Sequence, residues 1–98
     1  MTIQKNRDND ALTFVLAGRL DTTTAPMLEG ELSTSLDGID SLILDFSSLE
    51  YVSSAGLRVI MAAYKSMKGK GAMKITHVNE VIREIFDVTG FSRVLNIE

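Results

Sequence analysis

The sequence predicts an α/β fold in which an antiparallel hairpin opens the chain and helices then alternate with strands. Three observations carry this. Leu12, Phe14 and Leu16 alternate with Thr13, Val15 and Ala17, the period of two that marks a strand. Leu28, Leu32 and Leu36 recur every four residues, and Leu57, Ile60, Met61, Tyr64 and Met67 follow at three- and four-residue spacing, so two amphipathic helices are written into the chain. Between them lies a short apolar run, Leu42, Ile43 and Leu44, too short for a helix and suited to a buried strand.

Taken in order, residues 2–5 form a short first strand, and Asn6 to Asp10 form a turn of residues that tolerate left-handed or side-chain-bonded backbone. The second strand, 12–17, pairs back on the first and is ended by Gly18. Thr22, Thr23 and Thr24 offer helix caps, Pro26 suits a first helical turn, and Gly38 stops the helix. The third strand, 42–46, is apolar on both faces, which predicts a central strand covered on both sides. A loop over 47–56 leads to the central helix, which starts at or near Ser53 or Ser54 and is closed by Gly69 and Gly71. A fourth strand covers 72–78. Asn79 then caps a third helix in which Val81, Ile82, Ile85 and Phe86 face inward. Thr89, Gly90 and Phe91 end that helix, and 94–97 add an edge strand. The order implies helices packed on a sheet, with parallel pairing wherever a helix makes the crossover.

Composition narrows the function classes. Ninety-eight residues suit one domain, and a net charge of −3 gives no basic footprint for nucleic acid. No apolar run approaches the ~18 residues of a membrane span, so no direct membrane insertion is expected, and no signal-peptide pattern opens the chain. Cysteine is absent, which removes disulfides, thiolate metal sites and a thiol nucleophile. A cytoplasmic home is the default expectation.

A search for chemistry returns little. His77 is the single histidine and reads as a strand residue sharing a face with Met73 and Ile75. No metal ligand set, catalytic residue or cofactor motif emerges, and the nucleotide-cradling and hydrolase-elbow patterns are missing. Lys68 and Lys70 beside Gly69 and Gly71 read as a helix end and tight turn. Asp21, at a strand end, reads as a turn or cap residue.

The loop before the central helix is the exception. It places two hydroxyls, Ser53 and Ser54, at a helix N-terminus, where free N–H groups favour an anion; a serine there is also an ordinary cap. Gly56 is a poor first-turn residue, at about 1 kcal/mol against Ala, and leaves backbone bare for another chain to approach. Arg58 sets a positive charge near the same terminus, four residues from Ser54, where it can meet a phosphate or a partner's carboxylate or stay solvated.

In Asp45-Phe46-Ser47 and Val52-Ser53-Ser54-Ala55-Gly56-Leu57, together with Gly18, Leu20 and Asp21 and with Thr89-Gly90-Phe91, the chain resembles the STAS family, and within it the bacterial anti-sigma factor antagonists. The resemblance spans nearly the whole chain. It implies a single STAS domain over 1–98, with a mixed sheet of about four to five strands and about three to four helices. It also implies a binding protein and not an enzyme, with no cofactor. The implied partners are an anti-sigma factor serine kinase of the GHKL ATPase type, which phosphorylates and thereby releases the antagonist, and a PP2C-type phosphatase that resets it. Carried over by position, Ser54 is the phosphoacceptor and Ser53 the second choice. Asp21, Ser53, Ser54, Ala55, Gly56, Leu57 and Arg58 form the partner surface. Ser53 stands where many relatives have Asp, and Ala55 where others have a second hydroxyl. The alternative within the same family is a constitutive adaptor subunit of a membrane transport complex, not phosphorylated, whose loop serves only for docking.

Overall fold

A computed structural model describes all of residues 1–98. The elements follow as β1 (Thr2–Asp8), β2 (Ala11–Leu20), α1 (Ala25–Ser35), β3 (Ser41–Val52), α2 (Ser54–Met67), β4 (Ala72–Thr76), α3 (Glu80–Thr89), a 3-10 turn (Phe91–Arg93) and β5 (Asn96–Ile97). The five strands lie in the sheet in chain order. Only β1 and β2 are antiparallel; each later strand is parallel to the one before it. The hairpin-then-crossover order expected from the sequence is therefore the observed topology.

That order decides where the helices go. Each parallel crossover has the same right-handed preference, and each steps the same way across the sheet, so all three helices fall on one side. Burial agrees. On one face, Leu12, Phe14, Leu16, Leu42, Leu44, Phe46, Met73 and Ile75 are buried. On the other, Thr13, Val15, Ile43, Asp45, Lys74 and Thr76 are half-exposed. The expectation that β3 is covered on both sides is thus corrected: it is central, but the layer beyond its second face is solvent.

The strands are longer than the sequence suggested. Gly18 does not end β2; it lies inside it at φ +100°, where the register with β3 slips. β3 runs through most of the expected 47–56 loop. Opposite β2 it slips register twice, between Val15 and Ala17 and again between Gly18 and Arg19. These bulges change its burial period: Phe46, Leu49 and Val52 are buried, every third residue instead of every second. β4 ends at Thr76, short of the expected Val78, and His77 follows in a left-handed conformation at φ +60°, off the Met73 and Ile75 face. On α3, Ile82 and Phe86 are buried, but Val81 is 56% exposed and does not face inward. No helix is long and apolar enough to cross a membrane.

The core is built between this sheet face and the helices. Phe46 is fully buried with its ring centroid 6.3 Å from that of Phe86, which in turn stacks 6.4 Å from Phe91. This aromatic row joins the central strand to α3 and the turn after it. Phe46→Ala is expected to lower the unfolding free energy by about 3–5 kcal/mol, read from urea denaturation, because it removes a fully buried ring from the core.

Candidate functional site

Because β2 and β3 are parallel, both run out at the same edge of the sheet, and the helices that follow them begin there. α1 starts at Ala25 and α2 at Ser54. Leu20 and Val52 end the two strands as register partners, so the turns carrying Asp21 and Ser53 leave the sheet side by side. They are joined directly: the Ser53 N–H donates to the Leu20 carbonyl at 2.8 Å.

Ser53 is the N-cap of α2. Its backbone is extended and its Oγ accepts the Gly56 N–H at 3.3 Å. Ser54 is the first helical residue. It is exposed, and the protein's hydrogen bonds leave its hydroxyl unengaged. The two serines that the sequence could not separate are thus distinct in geometry: one is occupied with the backbone, the other points to solvent. Ala55 is half-buried, while Gly56 and Leu57 are buried. The reading of Gly56 as bare backbone open to another chain is corrected by its surroundings. A Cβ there would sit 2.6 Å from Leu20 Cγ and 3.1 Å from the Leu20 carbonyl oxygen. Glycine is required so that the first turn of α2 can lie flat on the end of β2. Arg58 is exposed.

Asp21 organises the neighbouring turn. Its Oδ1 accepts the Thr23 hydroxyl at 2.8 Å, the Thr23 N–H at 3.0 Å and the Thr24 N–H at 3.2 Å. Thr24 Oγ1 accepts the Asp21 N–H at 2.8 Å and donates to the Arg19 carbonyl at 2.8 Å. The Thr23 hydroxyl is the largest influence on Asp21; with the turn N–H groups it outweighs desolvation and holds the carboxyl below its ordinary 3.8. Asp21 is therefore anionic at neutral pH and tied into a turn, as the sequence suggested for a residue at that strand end.

Sequence reasoning missed three features. Arg19 lies over the Tyr51 ring, 4.6 Å from its centroid, on the open sheet face just before the two turns. Asn79 caps α3 as the sequence predicts, accepting the Ile82 N–H at 2.8 Å, but the missed contact is that its Nδ2 also donates to the Leu49 carbonyl at 3.0 Å, pinning α3 to the bulged half of β3. Asp45 meets His77 at 3.3 Å. Burial pushes the Asp45 carboxyl up, but the Ser47 hydrogen bonds and the His77 charge prevail and leave it lowered. Each contact joins residues far apart in the chain at unremarkable spacings, so no sequence pattern marks it. No cluster of His, Cys, Asp or Glu is arranged to hold a metal.

The STAS domain family model matches residues 2–98. The chain belongs to the STAS domain family. Among curated STAS relatives, the anti-sigma-B factor antagonist of Listeria monocytogenes is 29% identical over 97 residues, covering 96% of this chain and 84% of that protein. Among solved STAS folds, an anti-sigma factor antagonist from Mycobacterium paratuberculosis superposes with a TM-score of 0.89 at 22% identity, covering 98% of this chain and 83% of that one. The Bacillus cell fate determinant SpoIIAA in its phosphorylated form superposes with a TM-score of 0.77 at 16% identity, covering 99% and 91% of the two chains.

Two measurements test this geometry. Gly56→Ala is expected to cost about 1–3 kcal/mol in urea denaturation, since the methyl must displace Leu20 or lift α2. For Asp21 the folded pKa is depressed, so its contribution to stability is complete above pH 3.8 and is lost as pH falls through the lowered value. The difference in melting temperature between wild type and Asp21→Ala is therefore expected to be constant from pH 7 to 5 and to shrink below about pH 4.

Proposed function

We propose that this protein is an anti-sigma factor antagonist whose binding to a kinase-type anti-sigma factor is released by phosphorylation of Ser54. The observation that carries the reading is the exposed, unengaged Ser54 hydroxyl at the first position of α2, beside an ordered Asp21 turn, in a chain whose family relatives are named anti-sigma factor antagonists. The partner surface is the shared edge of β2 and β3: Asp21, Ser53, Ser54, Ala55 and Arg58 on or near the outside, seated by buried Gly56 and Leu57. A GHKL-type ATPase partner supplies the γ-phosphoryl group; the new bond forms at Ser54 Oγ as the bond to the β-phosphate of ATP breaks and the hydroxyl proton leaves. A PP2C-type phosphatase reverses the change. This work belongs in the cytoplasm, where sigma factors act, and regulates transcription without DNA contact by this chain.

Ser53 replaces the aspartate that the resemblance leads one to expect, and both residue types cap helices well. Ser53 thus keeps the capping role without adding a negative charge next to the acceptor. Its engagement as a cap also supports Ser54 as the acceptor over Ser53. A phosphoserine carries about −1.5 to −2 charge at pH 7, and at the start of a helix that charge faces N–H groups, so the fold tolerates it. The penalty falls on the interface. Each ~1.4 kcal/mol weakens binding tenfold, and about 3–4 kcal/mol suffices to free the partner.

The test is incubation with ATP and each kinase-like anti-sigma factor of the same genome, followed by mass spectrometry and binding assays. One phosphate is expected on Ser54 and none on Ser54→Ala, which keeps binding. Ser54→Asp is expected to melt within a few degrees of wild type and to bind at least tenfold more weakly. Wild-type affinity in Ser54→Asp, or a phosphate that persists in Ser54→Ala, overturns the proposal.

A further inference from the structure

The solvent stripe of α2 is short and simple. Ser54, Arg58, Ala62, Lys65 and Ser66 are exposed, while Gly56, Leu57, Val59, Ile60, Ala63 and Met67 are buried. Ser54 and Arg58 are thus consecutive members of one outward row, four residues apart, with Cβ atoms about 5–6 Å from each other by helix geometry. Long side chains on a helix lean back over the preceding turn, which carries the Arg58 guanidinium toward Ser54 and not away from it. Nothing else claims that guanidinium. The ion pairs of the protein are Lys5 with Glu31, Lys74 with Glu98 and His77 with Asp45, and the cation over an aromatic ring is Arg19. The first turn of α2 holds no acidic residue to compete for it. Arg58 is the fifth residue of α2, with no acidic side chain in the first turn to pair with it, so its charge gains no ion pair in the unmodified protein.

We propose that Arg58 is the built-in counter-ion of phosphorylated Ser54. On modification the guanidinium closes on the phosphate in a charge-assisted hydrogen-bonded pair within one helix. The modification then changes two charges on the docking face: it adds the phosphate and withdraws the arginine from any carboxylate of the partner. It also gives an unpaired arginine a partner that steadies the helix start, so the modified protein is the more stable of the two forms. This inference rests on the reading of Ser54 as the acceptor, but its test does not require the kinase.

Phosphoserine is installed at position 54 by genetic encoding or by ligation of synthetic segments in the full chain, in the wild-type, Arg58→Lys and Arg58→Gln backgrounds. The phosphate is titrated by phosphorus NMR, and each protein is melted with and without the modification. The expected result is a phosphate pKa lower in wild type than in Arg58→Gln by roughly 0.2–0.4, with Arg58→Lys between them. Phosphorylation is also expected to raise the melting temperature of wild type and not of Arg58→Gln. Equal phosphate pKa values in wild type and Arg58→Gln, or an equal thermal response to the phosphate, overturns the role of Arg58. Because the phosphate is placed by synthesis, that outcome leaves the kinase question untouched, and failure of every kinase to modify Ser54 leaves this measurement valid.

Discussion

Leu20 is the hinge on which the working edge of this protein depends. Its side chain is fully buried against Gly56, and its carbonyl accepts the Ser53 N–H. One residue at the end of β2 thereby sets both the distance and the orientation of the helix that follows β3. The hydrogen bond is worth about 1 kcal/mol net, and the close packing permitted by the missing Cβ adds the stereochemical precision that a hydrogen bond alone does not supply. Asp21 follows immediately and is locked by Thr23 and Thr24. The exposed serine therefore sits between the capping Ser53 and an ordered Asp21 turn, both tied to backbone.

The helices were legible because their apolar stripes are long and regular, and the first half of the sheet because β2 alternates cleanly. The second half of β3 was not. A strand that bulges twice buries Phe46, Leu49 and Val52 at intervals of three, and its exposed Ser47, Ser48 and Glu50 resemble a polar loop. Periodicity analysis fails there for a physical reason, since the extra residues that re-aim the strand also erase its signature. The same limit explains Val81. The helical spacing that marks Ile82 and Phe86 as core extends to it, but a narrow contact with β3 leaves it outside. One-sided helix placement was implicit in the topology, yet the apolar Ile43 beside Leu42 and Leu44 suggested a strand covered twice.

The candidate site divides in the same way. That two serines stand where a helix begins could be read from residue types, and the resemblance singled out Ser54. Which of the two caps the helix could not, because either hydroxyl is chemically able to do so; only the backbone at Ser53 decides it. Gly56 illustrates the opposite error. Its absence of side chain was correctly judged to matter, but the neighbour that needs the room is Leu20 of the same chain, and a contact across 36 positions leaves no trace in local sequence.

The bulged half of β3 carries one more consequence. β4 pairs with β3 only along Ser41–Asp45, so the stretch beyond has no strand on that side. A straight, apolar edge of that kind invites a second molecule to add a strand, and from there to polymerise. Here the two register slips twist the edge away from a straight template, Glu50 places a charge along it, and Asn79 occupies the Leu49 carbonyl. The irregularity that carries Ser53 and Ser54 to the end of β3 thus also makes this stretch a poor template for strand addition by a second copy.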